Sequence, residues 1–468
     1  MAADELSFRS LSEICGLIRR KEVSVRELVD DQLTRLESLE PRLNAFITVT
    51  EEEARVAAEN ADRKLARGES PGPLHGVPMT LKDLLWTRGV RTTSGSKVSA
   101  DFVPQEDATS VARLREAGAV FLGKTNLHEF AYGISNVNPH YGPVHNPWDK
   151  ERISGGSSGG SAASLAAGIG YGSVGTDTGG SIRIPSSLCG IVGLKPTYGL
   201  VSRYGVTPLA WSLDHVGPMA RNVKDVAILF DVLAGYDPKD PTSRTRKPDS
   251  VSSELDEIPS GLLMAVHPGY FFEDLEPQVR KLVEAAVEDL EKLGLERIEV
   301  SIPEIEHQGT CRDVITFAEA ASYHEPSLRE SPEDYGPATR ELLELGLLVR
   351  ATEYLTAQRA RRRIVEAFTE AFQGFDVLVS PTVPVPAPRI GEELLANGEK
   401  LRPGLLRLPT PFNTTGFPAI SVPCGFTPEG LPVGLQLAAR PFHEKRLLQV
   451  AYAYEKSHPW VDRHPSLS

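Results

Sequence analysis

The segment from Gly155 to Ser181 limits what this chain can be more than any other, reading GGSSGGSAASLAAGIGYGSVGTDTGGS and running on into IRIPSSLCGIVGLKPTYG. Its glycines remove side chains, so backbone N–H groups can come close to a ligand. Ser157 and Ser181 supply hydroxyls among them. A hydroxyl beside clustered amide donors is the chemistry of acyl transfer, in which the donors hold a developing oxyanion. Leu165, Ile169, Val174, Ile182 and Leu188 thread through the segment and argue against a flexible Gly/Ser linker. A phosphate loop is disfavoured as well, because no Lys-Ser/Thr pair follows the last glycine and Gly168, Gly170 and Gly172 lack the G-x-G-x-x-G spacing. Gly156-Ser-Ser-Gly-Gly160 formally matches the nucleophile elbow G-x-S-x-G, with Ser158 as nucleophile. That elbow needs a buried strand before it, whereas Asn146 to Ser154 is polar and carries a proline.

GGSSGGSAAS followed by GTDTGGSIRIPSSLCGIVGLKPT resembles the signature of the amidase signature family, the Ser-Ser-Lys amide hydrolases. HGVPMTLKD at 75–83, GAVFLGKTNLHEFAYG at 118–133, SLDHVGPMARNVKDVAIL at 212–229 and FPAISVPCGFTPEGLPVGLQL at 417–437 also read like family segments, so the likeness covers essentially the whole chain. It implies Ser181 as nucleophile, Ser157 as the bridging serine on a cis peptide, and Lys82 as base. The Ser158 elbow reading falls with it. The resemblance also implies one domain over residues 1–468 with an α/β fold, a mixed central sheet covered by helices on both sides.

The residues make the same triad chemically sensible. In Val77-Pro-Met-Thr-Leu-Lys82, strand alternation sets Val77, Met79 and Leu81 on one face and Thr80 and Lys82 on the other. A base must be neutral, and an unperturbed lysine with a pKa of about 10.4 is deprotonated only about once in a few thousand molecules at pH 7. Burial among hydroxyls and glycines lowers that pKa by penalising the ammonium. Lys82 then accepts the proton of Ser157 as Ser157 accepts that of Ser181, with no metal or cofactor. Thr178, Gly179 and Gly180 are expected to turn backbone N–H groups toward the oxyanion. Asp177 and Arg183 flank the loop; from the residues alone a pair beneath it and two solvated charges stand level, and the resemblance favours the pair.

Composition sets the surroundings. A formal net charge of −13, from 63 acidic and 50 basic residues, disfavours nucleic acid as a partner. Arg359 to Arg363 is a dense basic cluster within a helical pattern from Glu353 to Phe372, read as a solvated helix face. Cys15, Cys189, Cys311 and Cys424 are far apart, without CxxC or Cys/His ligand spacing. The start MAADELSFRSLSEIC lacks a basic and apolar leader pattern and no long apolar run follows, giving the expectation of a cytoplasmic protein without membrane spans; a homodimer stays open. Ser24-Val-Arg-Glu27 is a capping box for a helix that Pro41 is expected to stop. Ala119–Leu122, Val377–Ser380 and Ala419–Val422 read as buried strands, and Asn222–Gly235 and Pro277–Gly294 as helices. Asp237 to Pro259 is the most linker-like stretch.

Within the family the resemblance leaves two activities. The glutamine-using component of tRNA-dependent amidotransferases binds the α-ammonium of glutamine with an acidic residue shortly before its N-x-x-G-x-P segment. Here Asn413-Thr-Thr-Gly-Phe-Pro418 follows Leu401 to Phe412, which contains no Asp or Glu. A free-standing hydrolase of small, partly apolar amides is therefore expected, with aryl amides and anilides as candidate substrates and carbamates or esters as further ones. Phe130, Tyr132, Ile134, Tyr323, Tyr335 and Leu342 are candidate pocket liners, for which core packing is an equal account.

Overall fold

The computed structural model describes residues 6–69, 71–246, 250–257 and 260–467. Among them eleven strands form one sheet: β1 (Phe46–Val49), β2 (Pro78–Lys82), β3 (Val120–Thr125), β4 (Gly172–Asp177), β5 (Val192–Lys195), β6 (His215–Ala220), β7 (Leu263–Val266), β8 (Glu296–Glu299), β9 (Val377–Pro381), β10 (Ala419–Phe426) and β11 (Pro432–Ala439). Their order is β1-β3-β2-β4-β6-β5-β10-β11-β9-β7-β8. The sheet is mixed: β3, β2 and β4 are parallel neighbours, β4 through β9 pair antiparallel, and β9, β7 and β8 are parallel again. Strands from both ends of the chain therefore share one sheet, flanked by helices. The central strands β2, β4, β5, β6 and β11 are buried at every residue, as expected of strands covered on both faces.

The alternation in β2 holds with both faces buried, and its parallel partner β4 ends at Asp177, directly before the Thr178–Ser181 loop. Lys82 at the end of β2 and that loop thus lie at the same edge of the sheet, where strands deliver side chains into a site. The helix Gly159–Ala166 leads from Ser157 back to β4 and is buried along its whole length.

Two sequence expectations change. The helix from the Ser24 capping box continues past Pro41 to Leu43 and ends at Asn44 in the left-handed conformation, whose N–H donates to Glu40 O at 2.8 Å. In the last turn a proline removes only its own N–H, so the turn survives and the left-handed residue terminates it. Arg361 also leaves the solvated face of the helix Ala351–Ala371, donating to Thr414 O and Ser212 O at 2.8 Å each, while Arg362 pairs with Glu366 and Arg363 with Glu304. Within the linker-like stretch, residues 247–249, 258 and 259 lie outside the described residues; the remainder is anchored where Asp231 accepts from the Val251 and Ser252 amides. No helix among the described residues is long and apolar enough to cross a membrane.

Gly160 shows how little slack surrounds the signature: a Cβ there would lie 2.4 Å from Ala45 O and 2.5 Å from Asn126 O. Gly160→Ala is expected to destabilise the protein by about 3 kcal/mol, the upper end for overpacking against backbone. Gly309→Ala, where a Cβ meets open space, is expected to leave stability unchanged within about 0.5 kcal/mol. Urea midpoints of the two variants check this.

Candidate active site

Three segments meet at the end of β2 and β4. Lys82 is fully buried, and its Nζ donates to Ser157 Oγ and to Thr176 Oγ1, each at 2.7 Å. Ser157 follows a cis Gly156–Ser157 peptide. Its loop is held by Gly159 N–H to Asn136 Oδ1 at 2.9 Å and tied to the second serine by Ser158 N–H to Ser181 O at 3.1 Å. Ser158 Oγ turns the other way, donating to Thr176 O at 3.2 Å, so the hydroxyl of the elbow reading is committed to the strand. Ser181 is buried and lines a cavity. No hydrogen bond joins Ser157 Oγ to Ser181 Oγ among the described residues.

Burial dominates the electrostatics of Lys82. Its two hydrogen-bond partners are neutral hydroxyls, and desolvation of the ammonium outweighs attraction from Asp177 and Asp214, bringing the pKa down to about 7. Neutral and charged forms are then comparably populated at neutral pH. Asp214 holds the loop from the side, accepting from Thr178 Oγ1 at 2.6 Å and from the Leu209 and Ala210 amides.

Asp177 and Arg183 do pair beneath the loop, with Arg183 Nη2 2.9 Å and Nε 3.0 Å from the carboxylate and both side chains fully buried. The guanidinium, the largest favourable influence, joins donors from Asn413 to hold the Asp177 carboxyl far below the usual range despite its burial. The same carboxylate takes the Gly180 N–H at 2.8 Å and the Ile182 N–H at 3.1 Å. This changes one expectation: the Gly180 amide faces the buried acid, because that acid needs donors, and is not turned toward an oxyanion. The amides of Thr178, Gly179 and Ser181 meet no acceptor among the described residues. Gly180 has φ +126°, and a Cβ there would strike Pro409 Cγ at 2.7 Å, so the loop requires glycine.

Sequence reading named Lys82, Ser157, Ser181, Asp177 and Arg183, and the fold brings them together. It missed Thr176 and the buried Asn413 and Gln436, which complete the Arg183 shell with Arg183 to Asn413 Oδ1 and to Gln436 Oε1 both at 2.7 Å. Asn413 and Gln436 stand in segments that already carried the resemblance, so their place was marked although their partner was not. Of the candidate liners, Tyr132, Ile134 and Leu342 line the cavity beside Ser181 or its extension. Phe130 and Tyr335 do not reach it but pack in an apolar cluster with Tyr132, against which Leu342 lies, and Tyr323 is 44% exposed. The cavity at Ser181 is small, about 20 Å³, and shares Tyr132, Gly133, Ile134, Arg312, Arg402 and Leu406 with a larger one of about 630 Å³. On the other side, a cavity of about 290 Å³ reaches Thr176, Thr178 and Asp214.

Lys82, Ser157 and Ser181 thus share one buried corner of the sheet, with the lysine bonded to one serine and the other serine lining a cavity. The amidase family profile matches residues 27–448, and the chain belongs to that family. It is 44% identical over 463 residues to an amidase of Pseudomonas putida, covering 98% of each chain. It is also 43% identical over 487 residues to a glutamyl-tRNA(Gln) amidotransferase subunit of Moorella thermoacetica, covering 99% of each. Among solved structures, a bacterial aryl acylamidase of the amidase signature enzymes superposes with a TM-score of 0.91 at 26% identity, covering 98% of each chain. The protein is an amidase-family hydrolase of carbon–nitrogen bonds.

Arg183→Ala is expected to cost about 3–5 kcal/mol, since it leaves the Asp177 carboxylate buried without its counter-charge. Denaturant unfolding followed by circular dichroism reads the loss.

Proposed function

We propose that this chain is a free-standing hydrolase of small, partly apolar amides that works through an acyl-serine on Ser181, with Ser157 and Lys82 as proton relay. One observation carries the reading: Lys82, dry and drawn to a pKa of about 7, bonds Ser157 directly at 2.7 Å. Neutral Lys82 takes the Ser157 proton as Ser157 takes that of Ser181, and Ser181 Oγ attacks the carbonyl carbon. The relay needs contact between the two serine hydroxyls, and such bonds tighten as substrate seats. The oxyanion meets the amides of Thr178 and Gly179, donors of a kind whose removal costs about 2.7–4 kcal/mol in other enzymes. The C–N bond breaks, the amine leaves with the proton returned through Ser157, and water then cleaves the Ser181 ester by the same relay. Carbamates and esters present the same carbonyl and leaving-group logic.

Leu406 lies in the wall of the Ser181 cavity, and no carboxylate lines that cavity to meet the ammonium of glutamine. The similarity to a glutamyl-tRNA(Gln) amidotransferase component favours a second reading, glutamine hydrolysis within a larger assembly. The two separate in one assay. The purified chain is expected to release 4-nitroaniline from a simple anilide with chelator present and no partner; glutaminase activity that appears only with partner proteins, and no anilide cleavage, overturns the first reading.

Ser181→Ala is expected to abolish turnover and to lose covalent labelling by a serine-reactive phosphonate, located by mass spectrometry. Lys82→Ala is expected to lower kcat/KM by about 10²–10⁴-fold. Because the neutral form of Lys82 acts, kcat/KM of the wild type should rise with pH through about 7 and level off above it. A profile flat from pH 5.5 to 9 removes Lys82 from the base role.

A further inference from the structure

We propose that the amide taken by this site carries a carboxylate, held by Arg312 and Arg402 a few bonds from the scissile carbonyl. The inference rests on the reading of Ser181 as nucleophile and narrows its substrate class. Arg312 comes from the helix Gln308–Glu330 and Arg402 from the helix Leu401–Arg407, distant in sequence, yet both line the small cavity that contains Ser181. No Asp or Glu lines that cavity. Two guanidiniums facing one apolar recess repel each other, and a bound anion relieves that repulsion.

The donors there are incompletely used. Arg312 is only 6% exposed, and its Nε has no hydrogen-bond partner among the described residues. Its ion-pair partner is Asp313 at 2.8 Å, whose side chain is 42% exposed on the outer wall. Arg402 donates through Nη1 to Tyr132 O at 3.1 Å and lies 5.3 Å from the centre of the Tyr132 ring. Tyr132 lines the same cavity, and its hydroxyl is buried without a partner among the described residues. Arginines that served packing alone would be expected to have their donors matched by protein acceptors. A carboxylate matches the guanidinium fork and accepts several charge-assisted hydrogen bonds.

Size places that carboxylate. The recess at Ser181 is only about 20 Å³ before it opens into the cavity of about 630 Å³, whose wall includes Phe317, Leu342 and Leu394 and, farther from Ser181, the charged Asp313, Glu392, Glu393 and Lys400 that the recess lacks. An anion on the arginines is therefore held in the recess, close to the reacting carbon and away from the outer carboxylates, and the remainder of the substrate extends outward along Phe317, Leu342 and Leu394. Hydrolysis stays balanced in the ordinary way: water adds across the C–N bond, giving a carboxylic acid and an amine, with the recognised carboxylate unchanged on one product.

The test compares matched pairs. Succinic acid mono-4-nitroanilide against levulinic 4-nitroanilide places the charge on the acyl side; N-benzoylglycine against N-benzoylaminoacetone places it on the amine side. The expected result is a kcat/KM at least about 100-fold higher for the acid in one pair. That ratio should fall toward one in Arg402→Gln and in the Arg312→Gln/Arg402→Gln double variant. Calorimetry with Ser181→Ala is expected to show the same acid binding, and the arginine substitutions to remove it. Ser181-dependent cleavage of the neutral compounds with a ratio near one in both pairs overturns the carboxylate inference and leaves the hydrolase standing. Arginine-dependent binding of the acid without cleavage of any amide by the wild type supports the carboxylate site and overturns the hydrolase reading.

Discussion

The buried pair of Asp177 and Arg183 is the interaction on which the rest of the site depends. Asp177 closes β4, and its carboxylate gathers the amides of Gly180 and Ile182 on either side of Ser181. Arg183 carries the connection onward to Pro409 O, Asn413 Oδ1 and Gln436 Oε1, so the Ser181 loop is fastened to segments more than two hundred residues later in the chain. Burying two charges is costly, and a pair like this seldom adds net stability over apolar packing. What it supplies is a single geometry, because each donor has one acceptor and each acceptor is filled.

That fixed pair also governs Lys82. With Asp177 committed to Arg183 and Asp214 to Thr178 and two amides, no carboxylate touches the lysine, and desolvation decides its protonation. Lys124 makes the comparison within the same sheet. It is equally buried but has Asp83 at 3.5 Å, and its pKa falls less far, to about 8. Lys195 is driven well down by burial as well, yet it bonds the carbonyls of Pro196 and Phe417 and no hydroxyl. A lowered pKa is therefore common to the buried lysines of this core. The direct bond to a serine beside a second serine is what sets Lys82 apart.

Much of this was legible because the chemistry sits in local sequence. Glycines that admit the backbone, alternation in β2 and the capping box at Ser24 each act over a few residues, and each appears in the structure at its place. Pro41 misled because its cost depends on which turn it occupies, and Arg361 because one residue of a basic run turned inward to two carbonyls. The Gly180 amide was misread for a different reason: its direction is set by the side chain of Asp177, three residues earlier, once that side chain is buried. Arg312 and Arg402 carry no local signal at all. They stand beside Ser181 only after two helices from separate parts of the chain dock against the sheet.

This division explains how one frame accommodates different substrates. Lys82, Ser157 and the Ser181 loop are built on β2, β4 and the glycine-rich turns, whose positions the sheet and the Asp177–Arg183 pair determine. The wall opposite Ser181 is built from the helices Gln308–Glu330 and Leu401–Arg407, which supply Arg312, Thr316, Arg402 and Leu406 without entering the sheet. Side chains on those helices can change while Lys82 and the two serines keep their places, so a family profile over most of the chain identifies the kind of bond that is cleaved and leaves its bearer open. An amidase and an amidotransferase component can then match this chain almost equally well. Identity summed over the length weighs the shared frame, whereas Arg312, Arg402 and Leu406 line the cavity beside Ser181 from outside that frame.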